Sequence, residues 1–213
     1  MGAARMNSSF KSGSEPQQER SKKTVKAICE SADTLFTKYG VSAVSLGQIA
    51  RDVEIPTATI YRYFPNKEEL VATLRNHSLH DMLDDAQAKF DAVRNIEEYF
   101  KTLREVLWDT YQEIHEHAYL HETYGALLSE RSQKGFLFNE NQKWVQILYI
   151  AGRRFLTFES DELLKQRIII LNALWNGTMR VCQFYEKKAG DDIMKESIDM
   201  FCRELELPPS ACE

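Results

Sequence analysis

At 213 residues with 43% hydrophobic content, the chain can bury one or two cores, and no apolar run approaches the ~18 residues of a membrane span. A net charge of −5 argues against a non-specific nucleic-acid coat, which needs a broadly basic surface. The charge is also uneven. Residues 1–70 hold 10 Lys and Arg against 8 Asp and Glu, a net of +2, and residues 71–213 hold 17 against 24, a net of −7.

The chain opens on a polar stretch, MGAARMNSSFKSGSEPQQERSKK, that lacks the apolar core of a secretory signal. Residues 1–19 are expected to be a disordered tail. Arg20, Lys22, Lys23 and Lys26 follow as a basic arm. Such an arm either solubilises the chain or reaches phosphate and the minor groove beside a docked helix. Val25, Ile28, Cys29, Ala32, Leu35, Phe36 and Tyr39 fall at three- and four-residue steps, predicting an amphipathic helix that Gly40 can end.

Ser45 to Leu70, SLGQIARDVEIPTATIYRYFPNKEEL, is the most structured signal in the chain. Ser45 with Gln48 three residues on is a capping box, and Ile49, Ala50 and Val53 give the helix it opens an apolar face. Asp52 to Ile55 must hold a turn, because Pro56 disfavours the α-conformation before it and suits a helix start. The next helix, about Thr57 to Phe64, is too short to be stable alone and must be held by packing. At ~100° per residue, Ile60 and Phe64 point inward, while Ala58 and Arg62, flanked by Thr59 and Tyr61, lie opposite. Ala can meet a thymine methyl, Arg can grip guanine through two acceptors, and hydroxyls can bond phosphates or bases. Two short helices fixed across a turn are a common way to present one of them to the DNA major groove. Asn66 is then the expected N-cap of a further helix, with Glu69 at the reciprocal position and Lys67 near the phosphate track.

These residues resemble a known family. Thr24 to Leu70, with a first helix ending FTKYG, the Ser45 helix start and the string IYRYFPNKEEL, is similar to the DNA-binding domain of the TetR (tetracycline-repressor-like) transcriptional regulators. Carried over position by position, the resemblance implies DNA contacts from Ser45, Thr57, Ala58, Thr59, Tyr61, Arg62, Tyr63 and Lys67. One position departs from the family: Glu54 stands where glycine is usual. A left-handed turn residue is easiest for glycine, so this turn is either modestly strained or takes another conformation.

Downstream the chain reads as helical: Lys67 to about Phe90, then near 95–120, 122–133, 140–157, 161–188 and 191–206. Breaks are expected at Arg94-Asn95, Gln133-Lys134-Gly135, Ser160-Asp161 and Ala189-Gly190-Asp191. No stretch alternates as a strand. The expected architecture is all-α: a tail over 1–19, a three-helix DNA-binding domain over 20–66, and a helical regulatory, ligand-binding and dimerisation domain over 67–213. Cys29, Cys182, Cys202 and Cys212 are scattered without metal spacing, as expected of free thiols in a cytoplasmic protein, and packing is the expected role of Cys182 and Cys202.

The helices near 161–188 and 191–206 are apolar on more than one face, which demands burial on more than one side. The resemblance implies that they pair with their symmetry mates as a four-helix homodimer interface; the alternative is that they close the monomer core. It also implies a small-molecule pocket among the aromatics between reader and dimer helices, with Trp108, Tyr111, Tyr119, Phe138, Trp144 and Tyr149 as candidates. Plain core is the competing reading for each of them. Glu113, His117 and His121 lie at four-residue steps, a spacing that can chelate a transition metal, but hydrogen-bonded histidine is the commoner outcome and no metal or other cofactor is expected. No Glu-x-x-His, nucleophile elbow, P-loop or dinucleotide fingerprint occurs, so no residue supports an enzyme. The leading reading is a ligand-responsive regulator, a repressor that binds a palindromic double-stranded DNA operator as a dimer. Its rival is a helical metal- or small-molecule-binding protein without DNA readout.

Overall fold

A computed structural model of the chain describes residues 15–120 and 142–206. Every regular element among them is a helix: α1 (Glu15–Tyr39), α2 (Leu46–Asp52), α3 (Thr57–Tyr63), α4 (Lys67–Asp91), α5 (Ile96–Glu116), α6 (142–152), α7 (Asp161–Cys182) and α8 (Lys187–Glu206). The tail up to residue 14, the expected helix over 122–133 with its following break, and Cys212 lie outside the described residues.

The starts and stops follow local chemistry. Gly40, at φ 80°, ends α1 by donating to Phe36 O at 2.8 Å. Ser45 caps α2 reciprocally: Gln48 N–H donates to Ser45 Oγ at 3.2 Å and Ser45 N–H donates to Gln48 Oε1 at 2.7 Å. Asn66, Asn95 and Ser160 cap α4, α5 and α7 by accepting from Glu69, Glu98 and Leu163 N–H.

Several expected bounds move. α1 begins at Glu15, inside the stretch expected as tail. α5 stops at Glu116 and, after a turn at His117, helix resumes over 118–120, so the expected stretch to 120 is interrupted rather than continuous. α6 ends at 152 where 157 was expected, and Arg154 in the following turn donates to the carbonyls of Phe90 at 3.1 Å and Val93 at 2.7 Å. The last break lies at 183–186, not at Ala189-Gly190-Asp191, which falls within the first turns of α8. Gly190 is there for close approach: a Cβ on it would lie 3.1 Å from Cys182 O and 3.2 Å from Tyr111 Oη.

The chain divides into two compact units, and the division falls elsewhere than at residue 66. The first takes the chain through Asp81 and adds the stretch beginning at Glu116, and the second holds Met82 to His115 together with α6, α7 and α8. Within the first unit, Ile28, Ala32 and Phe36 of α1, Ile49 and Ala50 of α2, Ile60 of α3, and Leu70 and Val71 of α4 form one core. Ser31 Oγ donates to Asp52 Oδ2 at 2.6 Å and ties α1 to the end of α2. In the second unit, α7 and α8 pack antiparallel, with Arg167 donating to Glu204 O at one end and Gly190 against Cys182 at the other. Tyr99 is fully buried there among Phe90, Phe100 and Phe155.

The turn between α2 and α3 shows why glycine is the usual residue at position 54. Ile55 N–H donates to Ala50 O at 2.9 Å and Glu54 N–H to Arg51 O at 3.2 Å, the paired bonds of a Schellman cap. That cap needs a left-handed residue, and Glu54 supplies it at φ 57°. The turn therefore keeps its conformation and accepts the strain. A non-glycine residue loses about 1–2 kcal/mol in this region, against about 0.5–1 kcal/mol for the extra freedom of glycine in the unfolded chain. Glu54→Gly is therefore predicted to raise the unfolding free energy by about 0.5–1 kcal/mol in urea titrations; an unchanged or lower value would mean that the glutamate side chain makes a compensating contact.

Asp33 of α1 joins the segment after α5 to the first core. Tyr119 Oη donates to Asp33 Oδ1, His117 Nε2 lies 3.6 Å from the same oxygen, and the Tyr119 ring meets Phe36 edge-on at 5.8 Å. Burial opposes the Asp33 charge, yet the hydrogen bonds from His117 and Tyr119 outweigh it and hold the carboxyl below its usual range. A depressed folded-state pKa stabilises above the unfolded value, about 3.9, and that contribution is lost as pH falls through the folded value. Tyr119→Phe should thus cost about 1–2 kcal/mol at pH 7, with the gap to wild type closing below about pH 4. A gap that persisted unchanged in acid would assign the effect to packing.

Candidate nucleic-acid interface

The seven residues of α3 are positioned by one buried side chain, Ile60, with Phe64 sealing the core just beyond the helix. Thr59 N–H donates to Pro56 O at 2.8 Å at one end, and Phe64 N–H to Ile60 O at 2.8 Å at the other. Thr57, Ala58, Tyr61 and Arg62 are exposed, and Thr59 is half-buried. Half of the Tyr61 surface is open to solvent. The outward face expected from the ~100° periodicity is therefore present.

Four expected contact residues, Ser45, Arg62, Tyr63 and Lys67, have further engagements. Ser45 is exposed, but its hydroxyl is occupied by the capping box, accepting from Gln48 N–H and donating to Gln48 Oε1 at 2.9 Å. Tyr63 turns partly inward against the core of the first unit. Its hydroxyl donates to Ser21 Oγ of α1 at 3.3 Å and accepts from Arg62 Nη2 at 3.2 Å, and the Arg62 guanidinium lies 5.0 Å over its ring. The hydrogen bond shared with Ser21 and the Arg62 charge hold this phenol below its ordinary range, against the opposing effect of partial burial. Lys67 is half-buried, and its ammonium donates to the carbonyls of Val41 at 2.6 Å, Val44 at 2.9 Å and Ser42 at 3.5 Å. That internal engagement departs from the phosphate contact expected of Lys67. Tyr63 stands three residues after Ile60, a spacing that already places it near the inner face. For Lys67 the sequence holds no comparable signal, because its acceptors are backbone atoms.

In the basic arm on α1, Lys22 pairs with Glu19 at 3.0 Å and Lys26 with Glu30 at 3.6 Å. Exposed i,i+3 and i,i+4 pairs of this kind contribute little to stability.

The described members of the six expected pocket residues divide between the two units. Tyr119 belongs to the first core, and Phe138 lies outside the described residues. Trp108 and Tyr111 pack together at 5.5 Å on α5, with the Lys195 ammonium 5.3 Å over the indole. Tyr111 is buried and its pKa is raised, by burial first and by Asp191 second. Trp144 and Tyr149 are half-buried on α6, and burial first and Asp161 second raise the Tyr149 pKa. The second unit has one cleft of ≈ 590 Å³ along α7 and α8, walled by Leu171, Leu174, Trp175, Ile193, Met200 and Phe201. Another, of ≈ 560 Å³, lies beside Ile96, Phe100 and Arg104. None of the five described residues among the six expected lines either cleft. In the histidine stripe, His117 faces Asp33 and His121 lies outside the described residues; no group of three metal-capable side chains occurs among the described ones. Cys29, Cys182 and Cys202 are free and buried, and burial pushes the Cys202 thiol up to about 11, as expected of packed rather than reactive thiols.

Comparison with known proteins agrees with this geometry. Residues 28–74 match the family model described as bacterial regulatory proteins, tetR family. An uncharacterized HTH-type transcriptional regulator of Haemophilus influenzae is 25% identical over 86 residues, which is 40% of this chain and 46% of that protein. The matched region thus spans about half the length of that relative. Among solved structures, a transcriptional regulator from Cytophaga hutchinsonii superposes with a TM-score of 0.71 at 19% identity, covering 86% of this chain and 98% of that one. A complex of SmeT with triclosan superposes at 0.61 and 19% identity, covering 90% and 98%. At these identities the structural likeness speaks for the fold. The matched residues build the second half of α1, α2, the strained turn, α3 and the start of α4, and over them the chain is similar to the bacterial regulatory proteins of the tetR family.

Proposed function

We propose that the protein is a ligand-responsive repressor that binds a palindromic double-stranded DNA operator as a homodimer and acts in the cytoplasm. The observation that carries this reading is α3 itself: a helix too short to be stable alone, anchored by Ile60, with Thr57, Ala58, Tyr61 and Arg62 left open. Arg62 is the residue best suited to a guanine edge, Ala58 to a thymine methyl, and Thr57, Thr59 and Tyr61 to phosphates or base edges. A lone α3 covers only a few base pairs, whereas a two-fold dimer reads half-sites about one helical turn apart, ~34–36 Å.

The dimer reading rests on α7 and α8. Ile169, Ile170, Leu174 and Val181 of α7 and Met200 of α8 are exposed, and contiguous apolar surface marks interaction sites. A second copy is the proposed cover. The small-molecule response is supported by the resemblance to the tetR family and by the aromatic content of the second unit; among the structural relatives, SmeT is in complex with triclosan. A ligand that favours a spacing of the two α3 helices unfit for DNA would weaken binding by its differential affinity for that state.

Arg62→Ala should lose about 1–3 kcal/mol of discrimination at one base position of a duplex enriched by the wild-type protein from a random-sequence pool. Equal affinity of variant and wild type for every duplex would favour a helical binding protein without DNA readout. Leu174→Asp is expected to shift the protein from dimer to monomer in sedimentation at micromolar concentration, and a variant that stays dimeric would remove α7 from the interface.

A further inference from the structure

We propose that Lys67 is a positioning residue for DNA reading, fixing the pose of α2 and α3 through backbone carbonyls rather than gripping a phosphate. The proposal rests on the DNA-binding function above. An ammonium has three N–H donors, and here three acceptors converge on it: Val41 O at 2.6 Å, Val44 O at 2.9 Å and Ser42 O at 3.5 Å. All three carbonyls belong to the turn between α1 and α2, and that of Val44 stands one residue before the α2 cap, Ser45. Val41 and Val44 are themselves buried, so these acceptors lie at the edge of the core, where an unpaired carbonyl is costly.

Lys67 is also the first residue of α4. One side chain therefore ties the start of α4 to the entrance of α2. Ser31 and Asp52 tie the exit of α2 to α1 at 2.6 Å, and Tyr63 with Ser21 ties the end of α3 to α1 at 3.3 Å. The two short helices are held by polar links at entrance, middle and exit. Like the bond from Ser31 to the Asp52 carboxylate, the link at Lys67 is charge-assisted, and such bonds are about twice as strong as neutral ones. A guanidinium could not replace it, because its planar fork does not converge three donors on one point.

The test uses the full chain, a duplex enriched from a random-sequence pool by the wild-type protein, and a scrambled duplex of equal length. Binding of wild type, Lys67→Met and Lys67→Arg to both is measured across a salt series. A positioning role predicts about tenfold weaker binding of the enriched duplex by both variants, the equivalent of one charge-assisted hydrogen bond. The salt slope and the scrambled-duplex affinity should stay at wild-type values. A slope reduced by about 0.9 in Lys67→Met, with both duplexes weakened alike, would make Lys67 a phosphate ligand and overturn the proposal. Wild-type affinity in folded variants would overturn it too, leaving the tie a matter of stability alone. Should Lys67→Met fail to fold, Lys67→Arg decides: full affinity overturns the proposal, and weakened specific binding at an unchanged slope supports it. A wild-type protein that enriches no duplex would instead overturn the DNA-binding reading beneath it.

Discussion

Burial of the inner edge of α3 is the constraint on which the interface depends. A helix of seven residues cannot meet its nucleation cost from its own hydrogen bonds, so its geometry is borrowed from what it packs against. Ile60 is wholly buried and Phe64 nearly so, within a core built from Ile28, Ala32 and Phe36 of α1, Ile49 of α2 and Leu70 of α4. Removing a buried side chain of this size usually costs about 2–5 kcal/mol, much of the stability of a small unit. The outward face of α3 is exposed because its inward face is committed.

Polar ties around this core do what apolar packing does poorly, which is to set angle and register. Ser31 with Asp52, Tyr63 with Ser21, and Lys67 with the carbonyls before Ser45 each fix an end of a short element. The turn between α2 and α3 adds strain to this pattern. Glu54 holds a left-handed conformation that the Schellman bonds demand, and the surrounding packing keeps it there.

The second unit distributes its apolar surface differently. Its inner residues, among them Tyr99, Leu103, Leu164, Ile168, Trp175 and Phe201, are buried within the unit, while Ile170, Leu174 and Phe184 remain outside. This explains why α7 looks apolar on several sides: one side closes the local core, and the others are free to meet a second surface. The aromatic residues are divided in the same way. Tyr99, Phe100 and Phe155 make one cluster, Trp108 and Tyr111 another, and Tyr119 belongs to a separate core.

The sequence by itself determined the elements whose causes lie within four residues of one another. The Ser45–Gln48 box, the Pro56 start, the Asn66 cap and the inward step from Ile60 to Phe64 are all local, so spacing alone exposes them. Even the conformation of Glu54 was legible as one of two alternatives, because left-handed turns prefer glycine. The tertiary structure alone decided what depends on distant partners: Lys67 on carbonyls 23 to 26 residues away, Ser31 on Asp52 21 residues on, and Tyr119 on Asp33 86 residues back. It also decided that Gly190 serves a close approach rather than a break. Periodicity reports which side of a helix is apolar, and it is silent on which other element, or which backbone oxygen, will come to meet that side.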